Sequence, residues 1–327
     1  MIKKAKELDF SNKKIAMLIV ARPGVGKTTL AESAPRPLLV DLEDGVARVE
    51  ACYRGDTSVV DPNTEEGKKF ESFVKDLTES DLSDYDTVII DTLGKLVDLL
   101  TPVVIRENPI NGQRDGKTLS LKGYGAIGAK ITEFIKMVKG LNKHIIFIAH
   151  CTEVSDGDTV KTRVNIPGAT KDKIWDDIDI GGYMDFMGKE RAIHFTPTEK
   201  YDAKGCHGIS GDYMVPPLKS TKNGGNPADN HFLTDLFTQI QKNIAEDQSA
   251  YNSGLEDYKK AIEIIPAIKK ITNVDELNNA CSQVKGMKHG LTSREEILDA
   301  VQKKAKELGA EYDKAAKCYV VPAAEGE

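Results

Sequence analysis

The sequence is poor in aromatic rings, in paired cysteines and in surplus positive charge. Phe, Trp and Tyr make up 6% of 327 residues, with one Trp. A surface built from rows of stacking rings, which single-strand binders often use, is therefore not written into the composition. Lys and Arg number 45 against 51 Asp and Glu, a formal charge of −6. That excludes a constitutively basic nucleic-acid coat and leaves room for a local basic loop. The five cysteines, Cys52, Cys151, Cys206, Cys281 and Cys318, are scattered, with no C-x-x-C pair. An odd, scattered set predicts free thiols in a reducing cytoplasm and argues against a disulfide frame or a zinc site. No apolar run approaches the about 20 residues of a membrane helix. The start, MIKKAKELDFSNKK, has no apolar segment of the secretory type.

What is present is an alternation of short apolar runs with helical patterns. IAMLIV (15–20), PLLVDLE (37–43), TVIID (87–91) and HIIFIAH (144–150) read as strands. The continuous apolar runs among them suit a parallel sheet covered on both faces. Between them, 64–78 and 123–141 carry apolar residues at helical spacing. The expectation is α/β, a doubly wound, mainly parallel sheet. Residues 106–120 and the polar stretch 151–174 read as loops, and 192–201 as an exposed antiparallel strand. KSTKNGGNPADN (219–230) reads as a linker between a domain over 1–218 and a helical region over 231–327. Asp229 or Asn230 is expected to cap the first of those helices, and 292–316 reads as one further helix opened by a capping box.

The chemistry begins at LIVARPGVGKTTL (18–30), one letter away from the phosphate-loop pattern G-x-x-x-x-G-K-[ST], with Ala21 in the first glycine position. Pro23, Gly24, Val25, Gly26, Lys27, Thr28 and Thr29 would wrap a triphosphate. Lys27 supplies the cation and Thr28 a hydroxyl for Mg²⁺. Asp91 closes a buried strand and suits a water-mediated Mg²⁺ contact, a helix N-cap, or both. Glu43, in LLVDLEDG, is either the carboxylate that orients the attacking water or a polar strand end. His150 closes its strand as a phosphate sensor or as a solvent-facing histidine.

ARPGVGKTTL, PLLVDLEDG, TVIIDT and HIIFIAH together resemble the RecA-fold ATPases. They are most similar to the compact phage-encoded AAA-domain nucleotide-binding proteins that include the Sak-type single-strand annealing ATPases. The resemblance implies a RecA-like P-loop core with ATP and Mg²⁺ as cofactors. It implies Glu43 as the water-activating residue and His150 as the sensor. It also implies a DNA-contacting loop over 151–173, with Lys161, Arg163, Lys171 and Lys173. A homo-oligomer with shared ATP sites is implied too, with Lys204 as a basic finger reaching a neighbour; Cys206 and His207 occupy the place of the paired arginine. A solvated hairpin lysine is the other reading of Lys204. The location implied is the cytoplasm, that of the host cell for a phage protein, with other recombination or replication proteins as partners. Two further functions fit the same residues: an ATP-dependent remodelling factor with a protein partner on the C-terminal helices, and a nucleotide-gated binding module with little turnover.

Overall fold

The computed structural model describes residues 12–43, 45, 58–60, 70–156, 159–168, 170–219 and 224–322. By contacts the chain divides into two compact units, Ser11–Asn243 and a second one that holds Ile244–Glu327.

In the first unit the apolar runs become the strands of one sheet. These are β1 (Ala16–Ala21), β2 (Pro37–Asp41), β3 (Ser58–Val60), β4 (Thr87–Asp91), β5 (His144–Asp156), β6 (Thr159–Val164), β7 (Ile180–Met187), β8 (Glu190–His194) and β9 (Asp212–Val215). The order is β3-β2-β4-β5-β1-β7-β8-β9, with β6 paired to β5 off this path. β3 through β7 run parallel along that order, and β8 and β9 add antiparallel strands beyond β7. The sheet is thus the doubly wound, mainly parallel RecA-like arrangement expected, with β1 near its middle. β1, β2 and β4 are buried along their whole length, as strands covered on both faces must be.

Helices α1 (Lys27–Ala31), α2 (Phe70–Glu79), α3 (Leu93–Glu107), α4 (Leu121–Lys139) and α5 (Thr170–Asp177) follow the strands. α1 stops before Pro35, as the proline requires. Alternate strand residues such as Leu18, Val20, Val88, Ile90 and Phe147 join Leu96, Leu100, Ile131 and Ile135 of α3 and α4 in one core. Phe70, Phe73 and Phe134 meet there with ring centroids 5.4–5.9 Å apart in edge-on or tilted pairs. Each such pair adds about 1 kcal/mol beyond area burial.

Several expectations change. The stretch 151–174 is not a loop. β5 runs on past the sheet edge to Asp156, and β6 returns beside it in antiparallel register, Cys151 opposite Val164. α6 (Phe232–Ile262) is not capped by Asp229 or Asn230. The Leu233 N–H donates to Ser33 Oγ and the Thr234 N–H to the Ser33 carbonyl, while Asn230 is engaged with the Lys219 backbone. The change of unit falls after Asn243, inside α6, and not in 219–230.

The second unit contains α7 (Ile265–Lys270), α8 (Val274–Lys285) and α9 (Ser293–Glu307), followed by the strands β10 (Glu311–Asp313) and β11 (Cys318–Val320). Ile268, Leu277, Ile297 and Val301 form its core. The helix expected to reach residue 316 ends at Glu307, because Gly309 takes a positive φ of 64° and turns the chain into the hairpin. Among the described residues no helix is long and apolar enough to cross a membrane.

Candidate nucleotide site

Parallel register brings the predicted residues together. Ala21 lies opposite His150, Asp41 opposite Asp91, and Asp91 opposite Ile148. The carboxyl ends of four neighbouring strands therefore share one edge, where α/β sheets bind ligands. Ala21 is the fully buried last residue of β1 and needs no positive φ, so its methyl replaces the usual glycine without strain. The two glycines that follow do need their freedom: Gly24 has φ 78° and Gly26 φ 100°.

Lys27 is only 6% exposed. Its ammonium donates to the carbonyls of Ala21 at 3.3 Å and Arg22 at 3.1 Å, and to His150 Nδ1 at 3.1 Å. Burial lowers its pKa, against the pull of Asp91 and Glu43. An ammonium cannot accept, so Nδ1 of His150 is the acceptor and the ring proton sits on Nε2. Nε2 faces Glu43 Oε1 at 3.2 Å, and the Thr92 hydroxyl donates to the same oxygen at 2.7 Å. A continuous chain results: Lys27, His150, Glu43, Thr92. The hydrogen bond from His150 is the main cause that pulls the Glu43 carboxyl down to about 2, against its partial burial and with help from Thr92. Glu43 is thus a carboxylate at any physiological pH.

Thr28 Oγ1 donates to Asp91 Oδ2 at 2.5 Å. Burial raises the Asp91 carboxyl to about 6, and the nearby charges of Glu43 and Asp41 push the same way. A buried hydroxyl–carboxylate pair beside a glycine loop is the donor set that a phosphate-bound Mg²⁺ uses, so the residues fit that ion. The N-cap alternative for Asp91 falls to its neighbour: Thr92 caps α3 by accepting from the Lys95 N–H.

Three residues here escaped the sequence reading. Asp41, 2% exposed, accepts the N–H groups of Glu43 and Gly45 at 3.1 and 3.0 Å. It ties the turn that aims Glu43, which gives the D-x-E pattern its physical reason. Arg191 of β8 donates Nε to the Val25 carbonyl at 2.7 Å, and a Cβ on Gly26 would lie 3.4 Å from that nitrogen. Its guanidinium sits 5.3 Å from the centroid of the Phe186 ring. Arg22 of the loop pairs with Glu153 of the β5–β6 hairpin.

The remaining predicted residues fall partly inside the site and partly outside it. Pro23, Val25 and Thr29 belong to the loop and first helical turn. Lys161 pairs with Asp202 at 2.5 Å and Arg163 with Asp172 at 3.0 Å. Both stand on β6, whereas Lys171 and Lys173 are on α5. Lys204 Nζ donates to the carbonyls of Trp175 and Ile178, both at 2.7 Å. Its backbone bridges Gly181, level with Leu18 in the middle of β1. That lysine closes the C-terminal end of α5 within its own chain, and work at a neighbour's phosphate would require breaking both bonds.

Glycine loop, buried lysine and strand-end carboxylates on a central parallel sheet define a P-loop ATPase fold of the RecA-like arrangement. A family profile described as an AAA domain matches residues 13–207, more than half of the chain, and the chain belongs to that family. No curated protein matches it. Among solved structures it is similar to a KaiC-like protein from Pyrococcus horikoshii OT3, with 12% identity over 61% of this chain and 84% of that one, TM-score 0.36. It is also similar to the flagellar accessory protein FlaH from Methanocaldococcus jannaschii, with 12% identity over 63% of this chain and 86% of that one, TM-score 0.35.

Proposed function

We propose that the protein hydrolyses ATP and couples hydrolysis to single-stranded DNA, as a cytoplasmic phage-type recombination or replication ATPase. The single observation that supports this most is the Lys27–His150–Glu43–Thr92 chain, because it joins a phosphate-binding cation to a held carboxylate through the residue at which the hairpin begins. The glycine loop and Lys27 would hold the phosphates, and Thr28 and Asp91 the Mg²⁺, which supplies charge neutralisation at the phosphates. Glu43, kept ionised by two donors, orients a water and takes its proton. His150 holds Glu43 in place. A phosphate that draws the Lys27 ammonium forward removes the donor at His150 Nδ1, and His150 passes that change to Glu43 and to β5.

The DNA part of the reading rests on the hairpin. It leaves the sheet at the nucleotide edge, is pinned to the loop through Arg22 and Glu153, and carries Lys161 and Arg163. The homo-oligomer with shared ATP sites, with Lys204 at a neighbour's phosphate, follows from the family resemblance.

The test is ATP turnover with and without oligo(dT) at low and moderate salt. Stimulation by the oligonucleotide is expected, and its loss in Lys161→Gln/Arg163→Gln. Turnover indifferent to DNA, from a protein that also fails to bind it, overturns the DNA reading and favours a protein partner. Absence of turnover under every condition favours a nucleotide-gated module.

A further inference from the structure

The second unit carries a cavity of about 610 Å³ between α8, α9 and the β10–β11 hairpin. Its lining holds Lys285, Arg294 and Lys317 and no Asp or Glu. In a protein of net charge −6 that one-signed lining stands out. Among the described residues these three cations form no ion pair, whereas Lys288, Lys303 and Lys304 of the same unit are paired with Asp257, Asp299 and Glu307. Unpaired cations converging on one concavity form a site for an anion.

The aromatic content narrows the class. Tyr312 and Tyr319 face each other across the hairpin with centroids 5.2 Å apart at 70°. Tyr312 is 49% exposed and lines the cavity together with Tyr319. The Asn278 side-chain amide donates to the Tyr319 carbonyl at 2.9 Å and accepts from the Tyr319 N–H at 2.8 Å, which locks the hairpin onto α8, so the ring platform is held in place. His289 also lines the cavity. Its Nε2 meets the Val284 carbonyl at 3.1 Å and must donate there. That leaves Nδ1 as an acceptor, and it is buried with no partner among the described residues. A ligand suited to this lining brings anionic oxygens, a flat ring for the tyrosines and an N–H for His289. A phosphodiester strand with exposed bases has all three; an acidic peptide brings carboxylate oxygens and backbone N–H groups but no flat ring of its own, so the tyrosines decide between them.

We propose that this cavity is a second binding site for single-stranded DNA, separate from the hairpin of the first unit. It shares the ligand class with the function proposed above but rests on different residues.

The experiment is fluorescence anisotropy of fluorescein-labelled oligo(dT) with the full chain across a salt series. The variant Lys285→Gln/Arg294→Gln/Lys317→Gln should bind about tenfold or more weakly at low salt. It should also flatten the slope of log affinity against log salt by about 2, as loss of three phosphate contacts on a single strand does. Tyr312→Ala should weaken binding several-fold, and Lys285→Arg/Lys317→Arg should keep it. Basal ATP turnover should be unchanged in all of these. Unaltered affinity and slope in the folded triple variant overturn the proposal, as does displacement of the oligonucleotide by poly-glutamate as readily as by unlabelled poly(dT). If Lys161→Gln/Arg163→Gln loses stimulation while the triple variant binds normally, the cavity falls and the hairpin reading stands. The reverse pattern keeps the cavity and removes the hairpin.

Discussion

The two units handle charge in opposite ways. At the nucleotide edge of the first unit Lys27, Asp41 and Asp91 are each under 8% exposed, and the partners of Lys27 and Asp91 are a fixed network of carbonyls, His150 and Thr28. In the cavity of the second unit, Lys285, Arg294 and Lys317 are exposed and form no ion pair among the described residues. Burying a charge is costly unless it is bonded, so a chain does it where position matters more than stability. Exposed cations hold no fixed geometry but attract across a distance. On the functions proposed above, the difference separates a site for chemistry from one for capture. It also predicts that the first is weakly sensitive to salt and the second steeply so.

The hardest blow to the comparison falls on Lys27. Lys27→Ala should weaken ATP binding by about a hundredfold or more, since it removes a charge-assisted contact from a dry site, with the fold retained. Isothermal titration of the folded variant checks this; normal affinity removes the phosphate-loop assignment. Next is Glu43→Gln, expected to bind ATP as before and to turn over about 10²–10³ times more slowly, measured as kcat at saturating ATP. An equal fall in affinity would make Glu43 a binding residue and blur the contrast between units.

The effect at Arg191 is smaller and of a different kind. Its Nε bond to the Val25 carbonyl holds the loop backbone. Arg191→Ala should raise the KM for ATP about tenfold with little change in kcat. A kcat loss with KM unchanged would instead make Arg191 part of the reacting machinery.

Arg191 also shows where sequence reading stops. The glycine loop, Asp91, Glu43 and His150 were legible because each ends an apolar run, and parallel register then aligns those ends by itself. Arg191 lies 166 residues from the carbonyl that it holds. It arrives there only because β7 and β8 fold back beside β1, and no local pattern announces that. In sequence the β5–β6 hairpin looks like a loop because its polar residues obscure an alternation around Val154, Val160 and Val164, although Asp156-Gly157 is a turn signal. Ser33 as the cap of α6 was out of reach for the same reason as Arg191: the cap comes from 200 residues away. In the second unit the helices were legible, but a cavity is a property of packing, and its cations lie on three separate elements.

Two histidines repeat the contrast within the first unit at the smallest scale. His144 is 4% exposed, accepts from the Ile15 N–H at 3.1 Å and stacks on Phe237. Burial holds its pKa down to about 4. As pH falls from 6.5 toward 4 the unfolded chain takes a proton that the folded one refuses, so stability is lost on acidification, on the order of 3 kcal/mol by pH 4. His194 is the reverse. Burial opposes its charged form, but hydrogen bonds to Asp212 at 2.8 Å and Asp185 at 2.9 Å outweigh that and raise its pKa. Its contribution is complete below the unfolded value of about 6.5 and is lost as pH rises through the higher folded value, and it is worth about 1 kcal/mol because both carboxylates are half in solvent. Thermal melts from pH 4.5 to 8.5 separate them. His144→Gln should remove part of the acid-side decline. The gap between wild type and His194→Gln should be widest near pH 5.5 and shrink above neutrality. A gap that widens with rising pH would mean that His194 is held neutral, and that the carboxylates flanking it serve some purpose other than charge pairing.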